Sequence, residues 1–237
     1  MLFFGMPTDC TLVLLPGAGL GPQLWTRLPE YLSTPVLAVT YPKGSDERLQ
    51  DYLDHIIQEI DDSRIGDMVV VAHSIGGCLA PQLCAHYGPR VKGLLAIGAV
   101  IPRSGTSFAG SMPIPQRWVL PLLLRWFGTR PPDDAIRKQL CHDLDQEQTA
   151  EVIESFTPES RYLYTDRVEY ATLPDRRCYV RLTDDRSLSQ HLQSQMIEIL
   201  SATEIRELPC GHLPMLSRPA ELAGILENFS SEACQSM

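Results

Sequence analysis

The chain predicts an α/β fold: a doubly wound, mainly parallel sheet of about six strands with a helical cap inserted in it. Three observations carry this. Short runs of β-branched and leucine residues, as buried parallel strands require, recur along the chain. Amphipathic segments long enough for helices separate most of them. The alternation stops between Ile101 and Leu173 and then resumes, as an insertion into one fold would make it do.

In chain order, strands are expected at Thr11 to Leu15, Val36 to Thr40, Met68 to Ala72, Gly93 to Gly98, Cys178 to Thr183 and Glu204 to Leu208. The clearest helices are Asp46 to Asp61, Gly77 to Tyr87, Ser189 to Leu200 and Pro219 to Asn228, and the last two follow serines able to cap them. The inserted stretch, about 101–173, is rich in Pro, Arg, Leu and Trp and shows no convincing strand. Its first half carries more apolar surface than a solvent-facing helix pair needs, which suits a roof over a pocket. Met112, Trp118 and Leu122 are its expected pocket residues.

With 237 residues, 44% of them hydrophobic, the chain can bury the core of one domain spanning 1–237. A net charge of -9, with no Lys/Arg block, excludes a nucleic-acid partner. Seven cysteines lie scattered without metal-ligand spacing, so reduced thiols are expected and neither a disulfide framework nor a metal site is indicated. The start, MLFFGMPTDC, reads as neither leader nor anchor, and the longest apolar stretch, Trp118 to Phe127, is too short to span a membrane. Cytoplasmic location is the resulting expectation, with a small molecule as partner and a homodimer left open.

The most informative segment is VVVAHSIGGCL, Val69 to Leu79, which sets one serine between a strand and a glycine pair that opens a helix. A nucleophile elbow needs small residues two before and two after the nucleophile, because the turn is sharp and strained. Ala72 and Gly76 meet that need around Ser74. The bland alternative is a serine that merely caps the next helix.

A serine hydroxyl needs an imidazole to take its proton, and the imidazole needs a carboxylate to hold its tautomer. Both are expected after the carboxyl ends of later strands, in the order Ser, Asp, His. The strand CYVRLT ends at Asp184 and Asp185, one of which is the expected acid. The last strand ends at Pro209-Cys210-Gly211-His212, making His212 the expected base. The first loop, Leu15-Pro16-Gly17-Ala18-Gly19-Leu20-Gly21, is not a dinucleotide fingerprint, since its glycine spacing is wrong and no acid ends the second strand. Its expected role is to set the Ala18 amide opposite that of Ile75, as two donors to a developing oxyanion.

PGAGLGPQLW, AHSIGG, YVRLTDDRSL with Gln193, and GHLPMLSRPAELA together resemble α/β-hydrolases, with closer similarity to the small esterase and hydroxynitrile lyase branch. The resemblance runs from about Leu12 to Ile225 and is faint in the cap, through CHDLDQEQTAEV. It implies Ser74 as nucleophile, His212 as base, Asp185 as the acid, Ala18 and Ile75 as oxyanion donors, and no cofactor. It also places Leu213, a further expected pocket residue, where cyanohydrin-cleaving members carry lysine, which favours ester hydrolysis. The short N-terminal stretch implies that the antiparallel strands opening larger members are absent or reduced.

The expected reaction is hydrolysis of a small, largely apolar carboxylic ester through an acyl-enzyme. Two other readings stand beside it: a lyase using the same three groups as a proton shuttle, and a noncatalytic small-ligand-binding protein on the same fold.

Overall fold

Strands β1 (Cys10–Leu15), β2 (Val36–Ala38), β3 (Asp67–His73), β4 (Val91–Ile97), β5 (Arg177–Leu182) and β6 (Glu204–Leu208) form one sheet in the order β2-β1-β3-β4-β5-β6. Every pairing is parallel. The computed structural model describes residues 10–235, so the sequence reading of the first residues, including the missing antiparallel strands, lies outside the described residues.

The helices are α1 (Leu49–Asp62), α2 (Ala80–Tyr87), α3 (Gln116–Phe127), α4 (Asp133–Gln139), α5 (Gln146–Ser155), α6 (Tyr162–Thr165), α7 (Gln190–Leu200), α8 (Pro214–Ser217) and α9 (Pro219–Gln235). Alternation along the strands divides the core in two, as the strand period of two requires. Val13, Leu15, Val70 and Ala72 face the side covered by α1, α2 and α7. Leu12, Leu14, Val69 and Val71 face the side where Leu222, Leu226 and Phe229 of α9 pack. Helices α3 to α6 all lie between β4 and β5, where the sequence loses its strand signals.

Several boundaries moved for identifiable reasons. Helix α1 starts at Leu49, three residues later than expected, because Asp166 from the β4–β5 insertion meets it there. The Asp166 carboxylate accepts from the Leu49 N–H at 3.1 Å and from the Arg48 guanidinium at 2.7 and 2.8 Å. Helix α2 starts at Ala80, after a 3-10 turn over Ser74–Cys78. Helix α9 runs past Asn228 to Gln235 because Phe229, Ser230 and Ala233 are still buried. Ser189 caps α7 by accepting from the Leu192 N–H, whereas the Ser217 hydroxyl donates back to the Leu213 carbonyl.

The expectation that all cysteines stay reduced is corrected at one pair. Cys10, at the start of β1, and Cys234, near the end of α9, form a disulfide, while Cys78, Cys84, Cys141, Cys178 and Cys210 are free and buried. The two partners are separated by 224 residues, so no local spacing signals their pairing. They meet because α9 packs back across β1, β3 and β4.

Phe229 shows what that packing contributes. Its ring lies over Gly93 of β4, where even a methyl group would sit 2.8 Å from it. Phe229→Ala leaves a cavity between helix and sheet and should lower the unfolding free energy by about 3–5 kcal/mol, read from urea denaturation. A change under about 1 kcal/mol would mean that the layer repacks without loss.

Candidate active site

The site forms where β3, β5 and β6 end and their loops converge. At the end of β3 the chain turns at Ser74 with φ +54°, a left-handed conformation that a side chain rarely adopts. Close packing accounts for the small residues around it. A Cβ on Gly76 would lie 3.0 Å from the Leu15 carbonyl oxygen, and one on Gly17 would lie 3.1 Å from the Ser74 Cβ. The turn therefore nests directly against the loop after β1.

Three side chains meet here in a hydrogen-bonded chain. His212 Nδ1 lies 2.7 Å from Asp185 Oδ2, and His212 Nε2 lies 3.0 Å from Ser74 Oγ. A carboxylate can only accept, so Nδ1 carries the proton, and Nε2 is left to accept from the serine hydroxyl. The other carboxylate oxygen of Asp185 accepts from the Ser187 and Leu188 N–H groups at 2.7 and 3.1 Å. Burial pushes the Asp185 carboxyl up, but the adjacent His212 imidazole and these N–H donors outweigh it and hold the group below its ordinary value. The acid is thus kept ionised against the ring it orients.

Each loop is held by groups outside the chain of three. Gln193, fully buried on α7, accepts from the Leu182 N–H and donates to the Leu182 and Leu188 carbonyls, closing the Asp185 loop at both ends. Asp143, from the insertion, accepts from the Gly211 N–H at 2.7 Å, next to His212. Glu159, also from the insertion, accepts from the Gly19 N–H at 3.3 Å and from the Tyr52 hydroxyl at 2.9 Å. Burial raises the Glu159 carboxyl, and those two hydrogen bonds pull partly against the rise. Tyr41 donates to the Pro16 carbonyl, which secures the first loop from the other side. Sequence reasoning missed Asp143, Glu159 and Tyr41, since nothing local marks a residue whose partner lies far along the chain.

A cavity of about 150 Å³ opens at Ser74 and His212. Ala18 and Ile75, the expected oxyanion donors, both line it. Its walls are Leu20, Phe108, Pro131, Ala135, Ile136, Leu140, Phe156 and Tyr164, with Gln139 and Ser187 as further polar groups and no charged side chain. The expected pocket residues are corrected here: Met112, Trp118, Leu122 and Leu213 are not in this lining. Trp118 and Leu122 are 66% and 58% exposed because α3 buries only Leu124. Met112 packs against the core on the α1 side of the sheet, and Leu213 is fully buried on the α9 side. The signal that could have found the true lining is the i,i+4 pairing of Ala135 with Gln139 and of Ile136 with Leu140, which sets three residues of α4 and the residue capping its end on one side.

A parallel α/β sheet carrying a serine at a strained strand-to-helix turn, joined through histidine to aspartate, is the arrangement of the α/β-hydrolase fold. The chain belongs to the alpha/beta hydrolase family, whose model matches residues 12–225. No curated protein matches it by sequence. Among solved structures, an extracellular alpha/beta-hydrolase from a Paenibacillus species, described as sharing structural and functional homology with tobacco salicylic acid binding protein 2, is similar. It superimposes with TM-score 0.84 at 18% identity, covering 93% of this chain and 99% of that one. Polyneuridine aldehyde esterase gives 0.74 at 17% identity, covering 93% and 98%. The methylesterase MES16 from Arabidopsis gives 0.76 at 15% identity, covering 94% and 99%.

His73, beside the serine, supplies a test of the packing beneath the site. Its Nε2 lies 2.8 Å from the His212 carbonyl and must donate to it, which leaves Nδ1 buried without a partner among the described residues. Burial, reinforced by the neighbouring His212 ring, lowers the His73 pKa to about 3. An unfolded chain takes up this proton near pH 6.5, whereas the folded chain refuses it, so the group favours the unfolded state increasingly as pH falls from about 6.5 towards 3. Its share of stability at pH 5 should be about 2 kcal/mol lower than at pH 7.5. NMR titration of the ring should show a neutral imidazole at pH 5; a protonated one there would contradict this account.

Proposed function

We propose that the protein is a serine-dependent hydrolase of small, largely apolar carboxylic esters. The observation that carries this reading is the continuous chain from Ser74 Oγ through both ring nitrogens of His212 to Asp185 Oδ2. Ser74 Oγ attacks the ester carbonyl carbon while its proton passes to His212 Nε2, and Asp185 stabilises the resulting imidazolium. The N–H groups of Ala18 and Ile75 receive the charge that develops on the carbonyl oxygen. Collapse of the tetrahedral species breaks the bond to the alcohol, which leaves with the His212 proton. Water then attacks the acyl-enzyme with His212 again accepting a proton, and the carboxylic acid is released from a regenerated Ser74 hydroxyl. No step calls for a cofactor or metal.

Helices α3 to α6 act in this reading as a cap, with α4, Phe156 and Tyr164 as the wall against the substrate. A small cavity without charged walls favours uncharged groups of modest size on both sides of the ester, because a buried charge there would lack a partner.

A fluorophosphonate probe should label Ser74 in the wild type and leave Ser74→Ala unmodified by peptide mass. Hydrolysis of p-nitrophenyl acetate or butyrate should fall by about 10⁴-fold or more in Ser74→Ala. Asp185→Asn should keep the fold and lower kcat by about 10³–10⁴-fold, because the imidazole loses the partner that sets its tautomer. An unlabelled but folded wild type would instead favour the lyase or ligand-binding reading.

Across a series of esters matched in size, kcat/KM should be at least about tenfold higher for neutral acyl groups than for those bearing a carboxylate. Preference for the charged members would refute the role given to the apolar walls.

A further inference from the structure

Helix α3 has its apolar surface on the wrong side for a helix of a protein in water. Trp118, Val119, Leu122, Leu123, Trp126 and Phe127 are 66, 44, 58, 46, 75 and 81% exposed, while Leu124 alone is buried. At about 100° per residue these six side chains form one continuous arc of roughly half the helix circumference. With Ile114 just before the helix, they make up seven of the nine large hydrophobic side chains exposed among the described residues. Scattered exposed apolar residues are ordinary, but a single arc of this composition marks a binding surface.

Charge selects the partner. The protein carries -9 overall, yet residues 101–132 contain four arginines and no carboxylate. Arg130 pairs with Asp133 at 2.9 Å, whereas Arg117 and Arg125 are exposed on α3 with no carboxylate partner among the described residues. The Arg117 guanidinium lies over the Trp118 ring instead, 5.3 Å from its centroid. A second copy brought to this face by a two-fold axis would set arginines against arginines and supply no acid. An anionic lipid surface supplies what both parts of the helix lack, phosphate and carboxylate headgroups for the arginines and a hydrocarbon boundary for the Trp, Leu and Phe side chains. No described helix is long and apolar enough to cross a membrane, and the 12 residues of α3 fall well short of a bilayer core, so such a helix would lie in the plane of the interface.

We infer that α3 docks the protein reversibly onto anionic membrane surfaces, with its Trp and Phe side chains entering the interface and Arg117 and Arg125 at the headgroups. This does not depend on the reaction assigned to Ser74.

The test is co-sedimentation with sucrose-loaded vesicles of phosphatidylcholine and phosphatidylserine in a 3:1 ratio, against vesicles of phosphatidylcholine alone, at low and physiological salt. Binding should be about tenfold or more tighter on the anionic vesicles and weaken as salt rises. Trp emission should shift to the blue on binding, since Trp118 and Trp126 are exposed whereas Trp25, the third tryptophan, is already buried. Trp126→Glu with Phe127→Glu, and separately Arg117→Glu with Arg125→Glu, should each reduce binding about tenfold while leaving the thermal midpoint unchanged. Failure of the wild type to bind anionic vesicles would overturn the inference, as would equal binding to neutral ones. A concentration-dependent dimer in light scattering, lost in Trp126→Glu with Phe127→Glu while vesicle binding is absent, would assign the face to a second copy.

Discussion

The left-handed backbone of Ser74 is the constraint on which the site rests. Holding a side chain at φ +54° costs about 1–3 kcal/mol, and the surroundings must supply it. They do so through close backbone packing: Gly76 against the Leu15 and Pro16 carbonyls, Gly77 against the Val100 carbonyl, and the Val100 N–H donating to the Ser74 carbonyl at 3.0 Å. The result is a hydroxyl raised above the sheet, at a point that loops after β1, β5 and β6 can all reach.

The insertion between β4 and β5 holds the site as well as walling it. Asp143 grips the loop of His212, Glu159 and Thr157 grip both polar groups of Gly19, and Asp166 grips the start of α1. Each contact pairs a backbone group that would otherwise lose its hydrogen bond on burial. The same segment lines the cavity with α4 and presents α3 to solvent.

Much of the fold was legible because its signals are local. All six strands lie close to where the sequence places them. Strands β1, β3, β4 and β5 are mostly buried, and a strand buried on both faces has little room for polar residues, whereas the edge strands β2 and β6 are partly exposed and β6 carries charged residues. The end of α9 was not legible. Beyond Asn228 its buried positions include Ser230 and Ala233, which carry no strong apolar period. At the site, Ser74, His212, Ala18 and Ile75 could be named because the turns that present them need small residues nearby, whereas only the family resemblance separated Asp185 from Asp184. The pocket was misread because α3 is the most apolar helix of the insertion, and hydrophobicity says that a face will be covered without saying by what.

By itself, then, the sequence determined the alternation of strands and helices and the serine turn, properties set within a few residues by sterics and apolar period, while the types and order of the three groups that meet there followed from what a serine nucleophile requires in such a sheet. Tertiary structure decided the strand order, the Cys10–Cys234 pairing, the cavity walls, the contacts of Asp143 and Glu159, and the outward orientation of α3. Those depend on pairings between residues tens to hundreds of positions apart, and a pairing of that kind leaves its mark on two segments jointly rather than on either one.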